Sequence, residues 1–173
     1  SIIFSTYGMT ETYSHVAFQN ISKGETHYTA VDNVTFSTKE DTLVIHAPHI
    51  RIEKLVTTDC VDLISSTEFV WKGRSDYVIN SGGIKLHPEQ IEKALSAVVT
   101  VPFFVFGKPH KQLGQSLSIV FEGDMPNQIE NIISKLNTLS KYQKPKDYFV
   151  ISHFIRNNGK ILRNQTLQKI NFP

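Results

Sequence analysis

A chain of 173 residues, 40% of them hydrophobic, buries one substantial core or two small ones. Its 18 Lys and Arg against 16 Asp and Glu leave a formal charge of only +2, which is no electrostatic footprint for a nucleic-acid partner. The lone cysteine, Cys60, excludes an internal disulfide, and the longest apolar run, "AVVTVPFFVFG", contains Pro102 and is too short for a membrane span, so a cytoplasmic protein is expected.

The first stretch with chemical content is "STYGMTET", residues 5–12. Gly8 lets a backbone approach a ligand, the Thr10 hydroxyl suits a phosphate oxygen, the Glu11 carboxylate suits Mg2+, and the Tyr7 ring offers a stacking face. A plain turn into a short helix, with Thr10 as its cap, explains the same residues equally well. "NVTFST", "KED" and "TLVIHAP" then predict a hairpin that buries Val34, Phe36, Leu43 and Ile45. "DLISSTEFVWKGR" predicts a second strand pair around a polar turn, and no helix is expected between residues 20 and 72. His46 and His49, in "HAPH", have metal-like spacing but no third ligand close in sequence.

The pattern changes near residues 72–76. "HPEQIEKALSAVV" places Pro88 at a first helical position and sets Ile91, Ala94, Leu95 and Val98 on one face. Strands "VPFFVFG" and "QSLSIVFEG" follow, the latter alternating Leu117, Ile119 and Phe121. A helix capped by Asn127 is expected next, with Ile129, Ile132, Ile133, Leu136 and Leu139 as its apolar stripe. The basic run "KYQKPK" reads as a solvated connection. A strand "DYFVISHFI", a turn "RNNGKILR" presenting Lys160 behind Gly159, and a short helix end the chain. The fold class is therefore α+β: a β-rich segment over 1–73, then a small α+β domain over 77–173. The first segment reads as part of something larger or as a small antiparallel barrel.

Four stretches in order, "YGMTE", "TTD" (57–59), "GRSDYVINSGGIKLHPEQIE" and "NGKILR", resemble the adenylate-forming acyl-CoA synthetases, and the resemblance covers essentially the whole chain. Within that family, "YGMTETYSH" and "INSGGIKLHPEQIE" look most like the branch that activates o-succinylbenzoate in menaquinone synthesis, with a synthetase for another aromatic or a fatty carboxylate as the alternative. The resemblance implies a ligase that uses ATP, Mg2+ and coenzyme A to convert a carboxylic acid through an acyl-adenylate to a thioester. It further implies that residues 1–73 are the last part of a large adenylation domain, 74–76 a hinge, and 77–173 a small mobile C-terminal domain.

Carried over by position, Tyr7 and Gly8 would flank the nucleotide, Thr10 would touch the α-phosphate, and Glu11 would help hold Mg2+. Asp59 and Arg74 would bind the ribose, Asp76 would be the hinge, and Gly82 and Gly83 would line the coenzyme A channel. Ser14 and His15 would border the acyl pocket, and Lys160 would be the adenylation lysine. The chain departs from the family at Thr58, where a glycine is usual, and at "IRNNGK", where a Pro and a Thr usually precede the Gly-Lys pair. Asp62 is a rival to Asp59 if the register differs. Family members carry a Ser/Thr/Gly-rich phosphate loop that this sequence lacks, so the chain alone is expected to be inactive, to bind nucleotide weakly and to self-associate. A non-catalytic module that binds a nucleotide or a protein is the contrasting reading, and Lys160, Arg74, Asp59 and Glu11 together argue against it.

Overall fold

The computed structural model describes residues 1–170, which divide into two units, Ser1–Asp76 and a second beginning at Tyr77. The last three residues of the expected 77–173 domain lie outside the described residues.

The first unit is a seven-stranded antiparallel sheet. Its strands are β1 (Phe4–Gly8), β2 (His15–Asn20), β3 (Tyr28–Ala30), β4 (Thr35–Lys39), β5 (Thr42–Ala47), β6 (Ile52–Ser65) and β7 (Glu68–Arg74), ordered β1-β2-β3-β7-β6-β5-β4. The β4–β5 hairpin turns on Glu40 and Asp41, both in the left-handed region (φ 51° and 68°), as a two-residue turn matched to strand twist requires. Val34, Phe36, Leu43 and Ile45 are buried, as the alternation predicts. Phe69, fully buried, meets Phe36 edge-on at 5.0 Å, Tyr7 edge-on at 5.2 Å and Tyr28 in a stack at 5.5 Å. Strand β6 is longer than the sequence suggests, because register shifts against both β5 and β7 let it bend and stay paired on each side. Between residues 20 and 72 the described backbone has 3-10 turns and no α-helix. Edge strand β1 leaves Phe4 exposed, beside the exposed Ile2 and Ile3.

In the second unit, β8 (Ile79–Ser81), β9 (Ile84–Leu86), α1 (Pro88–Leu95), β10 (Phe103–His110) and β11 (Gly114–Glu122) come first. Then follow α2 (Ile129–Ser134), β12 (Asp147–Ile151), the hairpin β13 (Arg156–Asn157) and β14 (Lys160–Ile161), and α3 (Arg163–Leu167). The main sheet runs β10-β11-β8-β9, with β12 added parallel to β11. Strand β11 is covered on both faces: Leu117, Ile119 and Phe121 join Ile91 and Leu95 of α1 in one core, while Val120 joins Phe104, Phe106 and Phe154 in another. Its buried Ser116 and Ser118 donate to Asp147 at 3.3 and 3.2 Å, satisfying polar groups that would otherwise be costly inside.

Two helix expectations need correction. Helix α1 stops at Leu95, and Val98 packs on the core from the following turn. Helix α2 is not capped by Asn127: Gln128 precedes it in a left-handed conformation (φ 55°) with no side-chain cap, which differs from the extended backbone a capping side chain needs. The helix ends at Ser134, so Leu139 reaches the core from beyond it while Ile132 stays partly exposed. Among the described residues no helix is long and apolar enough to cross a membrane.

Candidate functional site

The nucleotide-type loop folds around Gly8 and Thr12. Gly8 faces His15 at a bulge in the β1–β2 pair, and a Cβ there would lie 2.5 Å from the Ser14 carbonyl oxygen, so only glycine fits. The buried Thr12 braces the turn: its hydroxyl accepts the Met9 N–H at 3.0 Å and lies 2.6 Å from the Ser14 carbonyl. Thr12, rather than Thr10, thus takes the capping part. Thr10 and Glu11 stand exposed on a 3-10 turn, and Ser14 and His15 are exposed beyond it, the His15 ring against Phe18 at 4.8 Å. A lone exposed carboxylate such as Glu11 fits Mg2+, which takes one or two protein carboxylates and fills its shell with phosphate oxygens and water.

Asp59 is the best-built group of the N-terminal unit. It lies buried on β6, where its Oδ2 accepts the Tyr7 hydroxyl at 2.7 Å and its Oδ1 accepts the Trp71 indole N–H at 3.0 Å. Tyr7 stands 52 residues away in sequence, so the fold joins two motifs that the chain keeps apart. Burial first, then the hydrogen bond to Asp59, push the Tyr7 hydroxyl far above its ordinary pKa, making it a permanent donor. A carboxylate has about four lone-pair positions, so two donors leave acceptor capacity for two more. Arg74 is the cross-strand neighbour of Asp59, and its guanidinium also donates to Asp76 at 2.6 Å. Asp62 differs: it is exposed and paired with Lys72 at 2.9 Å. No sequence motif marks Trp71; its two-residue spacing from Phe69, which sets both on one face of β7, is the signal that points to it. His46 is committed elsewhere, with Nε2 2.8 Å from the Ser37 hydroxyl and Nδ1 2.7 Å from the Glu53 carbonyl. Among the described residues no group of three or more His, Cys, Asp or Glu could hold a metal.

In the C-terminal unit, Gly82 and Gly83 (φ 57° and 83°) turn β8 into β9, and the Gly82 N–H donates to the Leu113 carbonyl at 2.9 Å. Beside them opens a cavity of about 350 Å³ whose lining includes Gly82, Leu113, Tyr142, Lys141, Lys144 and Lys146. The basic run is an exposed connection between α2 and β12, as expected, with Lys141 and Lys146 exposed, and its three lysines also line this cavity. Lys160 opens β14, opposite Asn157, after a turn through Asn158 and Gly159 with left-handed backbones (φ 47° and 78°). Its side chain is exposed.

No protein-family model matches the chain, and no curated protein does. Solved structures do. An AMP-forming acyl-CoA synthetase/AMP-acid ligase II-like protein from Dyadobacter fermentans is 31% identical over 97% of this chain and 51% of its own, with a TM-score of 0.52. The o-succinylbenzoate CoA synthetase of Bacillus subtilis, in complex with its acyl-adenylate intermediate, is 21% identical over 98% of this chain and 42% of its own, with a TM-score of 0.81. ATP-bound MatB from Rhodopseudomonas palustris is 18% identical over 94% of this chain and 39% of its own, with a TM-score of 0.72. The chain spans about half the length of the first of these and about two fifths of the others. Its fold is that of the C-terminal part of AMP-forming acyl-CoA synthetases.

Proposed function

We propose that the chain forms the C-terminal part of an ATP-dependent acid–CoA ligase acting on o-succinylbenzoate. The observation that carries this reading is the meeting of Tyr7 and Asp59: a buried carboxylate, fixed by a permanent donor, with lone pairs left for two vicinal hydroxyls. Such a group suits a ribose. Arg74 adds a donor beside it, and the part of the Tyr7 ring not packed on Phe69 flanks the adenine.

In the first half-reaction the acid's carboxylate attacks the α-phosphorus of ATP and pyrophosphate leaves. Thr10 touches the α-phosphate, and Glu11 holds Mg2+, which supplies charge neutralisation on the phosphates when bound. Lys160 donates to the carboxylate and the α-phosphate together as charge shifts between them, a task suited to a flexible point charge with three donors. In the second half-reaction the thiol of coenzyme A attacks the activated carbonyl and AMP leaves. Gly82 and Gly83 keep the thiol's path clear, and the three lysines around the adjacent cavity suit a polyanionic cosubstrate. Asp76 and its partner Arg74 mark the hinge between the two steps.

The choice of acid is supported by "YGMTETYSH" and "INSGGIKLHPEQIE", and by the likeness to synthetases that act on o-succinylbenzoate. An anthranilate CoA ligase superposes with a TM-score of 0.75, so the fold alone does not choose the acid. The test is a panel of o-succinylbenzoate, anthranilate, malonate and a fatty acid, given with ATP and coenzyme A to the ligase that carries this chain. The highest kcat/KM is expected with o-succinylbenzoate, by at least about tenfold, since a single missing group in a shaped pocket is worth that much. A fatty acid or anthranilate turned over as well or better would overturn the assignment.

A further inference from the structure

Lys160 sits on a hairpin of only two paired residues per strand, which has little stability of its own. Each arm is nevertheless tied down by an arginine gripping a glutamate with both nitrogens. On the entering arm, Arg156 donates from Nη1 to Glu122 Oε1 at 2.6 Å and from Nη2 to Oε2, while the Phe154 N–H also donates to Oε1 at 2.7 Å. On the leaving arm, Arg163 donates to both oxygens of Glu92 at 2.8 Å each, and the Val105 N–H donates to Oε1 at 2.9 Å. The Arg163 guanidinium also lies over the Tyr77 ring at 4.7 Å and the Phe104 ring at 5.5 Å.

The anchors are well chosen. Glu122 ends the central strand β11, and Glu92 lies on α1, whose Ile91 and Leu95 are fully buried in the core. Tyr77 directly follows Asp76, the residue read as the hinge. Paired guanidinium–carboxylate forks fix direction as well as distance, unlike a lysine contact. The Arg156 hydrogen bonds and the Phe154 N–H hold the Glu122 carboxyl down to about 2, so this fork keeps its charge across the neutral range.

We infer that Arg156 and Arg163 are positioning residues that clamp the Lys160 hairpin to the body of the C-terminal unit, so that the lysine is carried by the unit rather than by flexing of its own loop. This rests on the reading of Lys160 as the reacting lysine.

The experiment is amide hydrogen exchange on this chain, comparing Asn157–Ile161 with the core amides of Ile119 and Val120, in Arg156→Lys, Arg163→Lys and the exchanged pair Arg156→Glu with Glu122→Arg. Each lysine variant keeps the charge and loses the fork. Exchange in the hairpin is expected to quicken about tenfold or more with the core unchanged, the loss of one charged fork being large enough for that. The exchanged pair should recover part of the protection. Acceleration spread evenly over the unit, or a hairpin as protected as before, would overturn the inference. Lys160→Ala should leave hairpin exchange untouched, so this result is independent of whether Lys160 is the reacting group.

Discussion

Replacing Lys160 by alanine in the proposed ligase is expected to lower acyl-adenylate formation by about 10²–10³-fold, the loss typical of one preorganised donor at a charge-developing centre. Thioester formation from supplied acyl-adenylate should change little, because the bond to phosphorus is already made when the thiol attacks. The contrast is sharp because Lys160 is exposed at a hairpin tip and no core contact depends on it. Pyrophosphate release with acid and ATP, set against thioester yield from synthetic adenylate, measures the two halves separately. Equal loss in both would remove the assigned role. Lys160→Arg should fare little better than alanine, since a planar fork does not replace a point charge between two oxygen groups.

Truncating Phe69 to alanine is expected to cost about 3–5 kcal/mol of stability, the range for a large aromatic removed from a core that cannot collapse around the void. Phe69 is fully buried and touches the rings of Phe36, Tyr7 and Tyr28, contributed by three other strands. The loss should extend to the candidate ribose site, because Tyr7 leans on Phe69 while its hydroxyl holds Asp59. Urea unfolding compared with the parent chain reads the stability. A change under about 1 kcal/mol would mean that the four-ring cluster does not organise the sheet, as that is the average cost of an arbitrary substitution.

Much of this was legible in the sequence where neighbours in the chain are neighbours in space. The β4–β5 hairpin follows from two-residue alternation and a turn at Glu40 and Asp41, and its four inward residues are buried. Pro88 and the apolar face of Ile91 and Leu95 likewise announce α1. The apolar stripe predicts a longer α2 than forms, because helical spacing does not show that the chain leaves the helix at Ser134 and brings Leu139 inward by another route. Asp59 follows from the motif, but Trp71 reaches it through the pairing of β6 with β7, and the Tyr7 hydroxyl comes from β1, which does not pair with β6; periodicity specifies neither. The forks that grip the Lys160 hairpin were invisible for the same reason: their partners lie 34 and 71 residues apart.

The most direct test of the central claim is the fate of the ATP phosphates. With α-labelled ATP, coenzyme A and o-succinylbenzoate, the proposed ligase should release AMP in a one-to-one ratio with thioester, and none without the acid, as attack at the α-phosphorus demands. Labelled ADP in place of AMP, or AMP released without acid, would contradict the account.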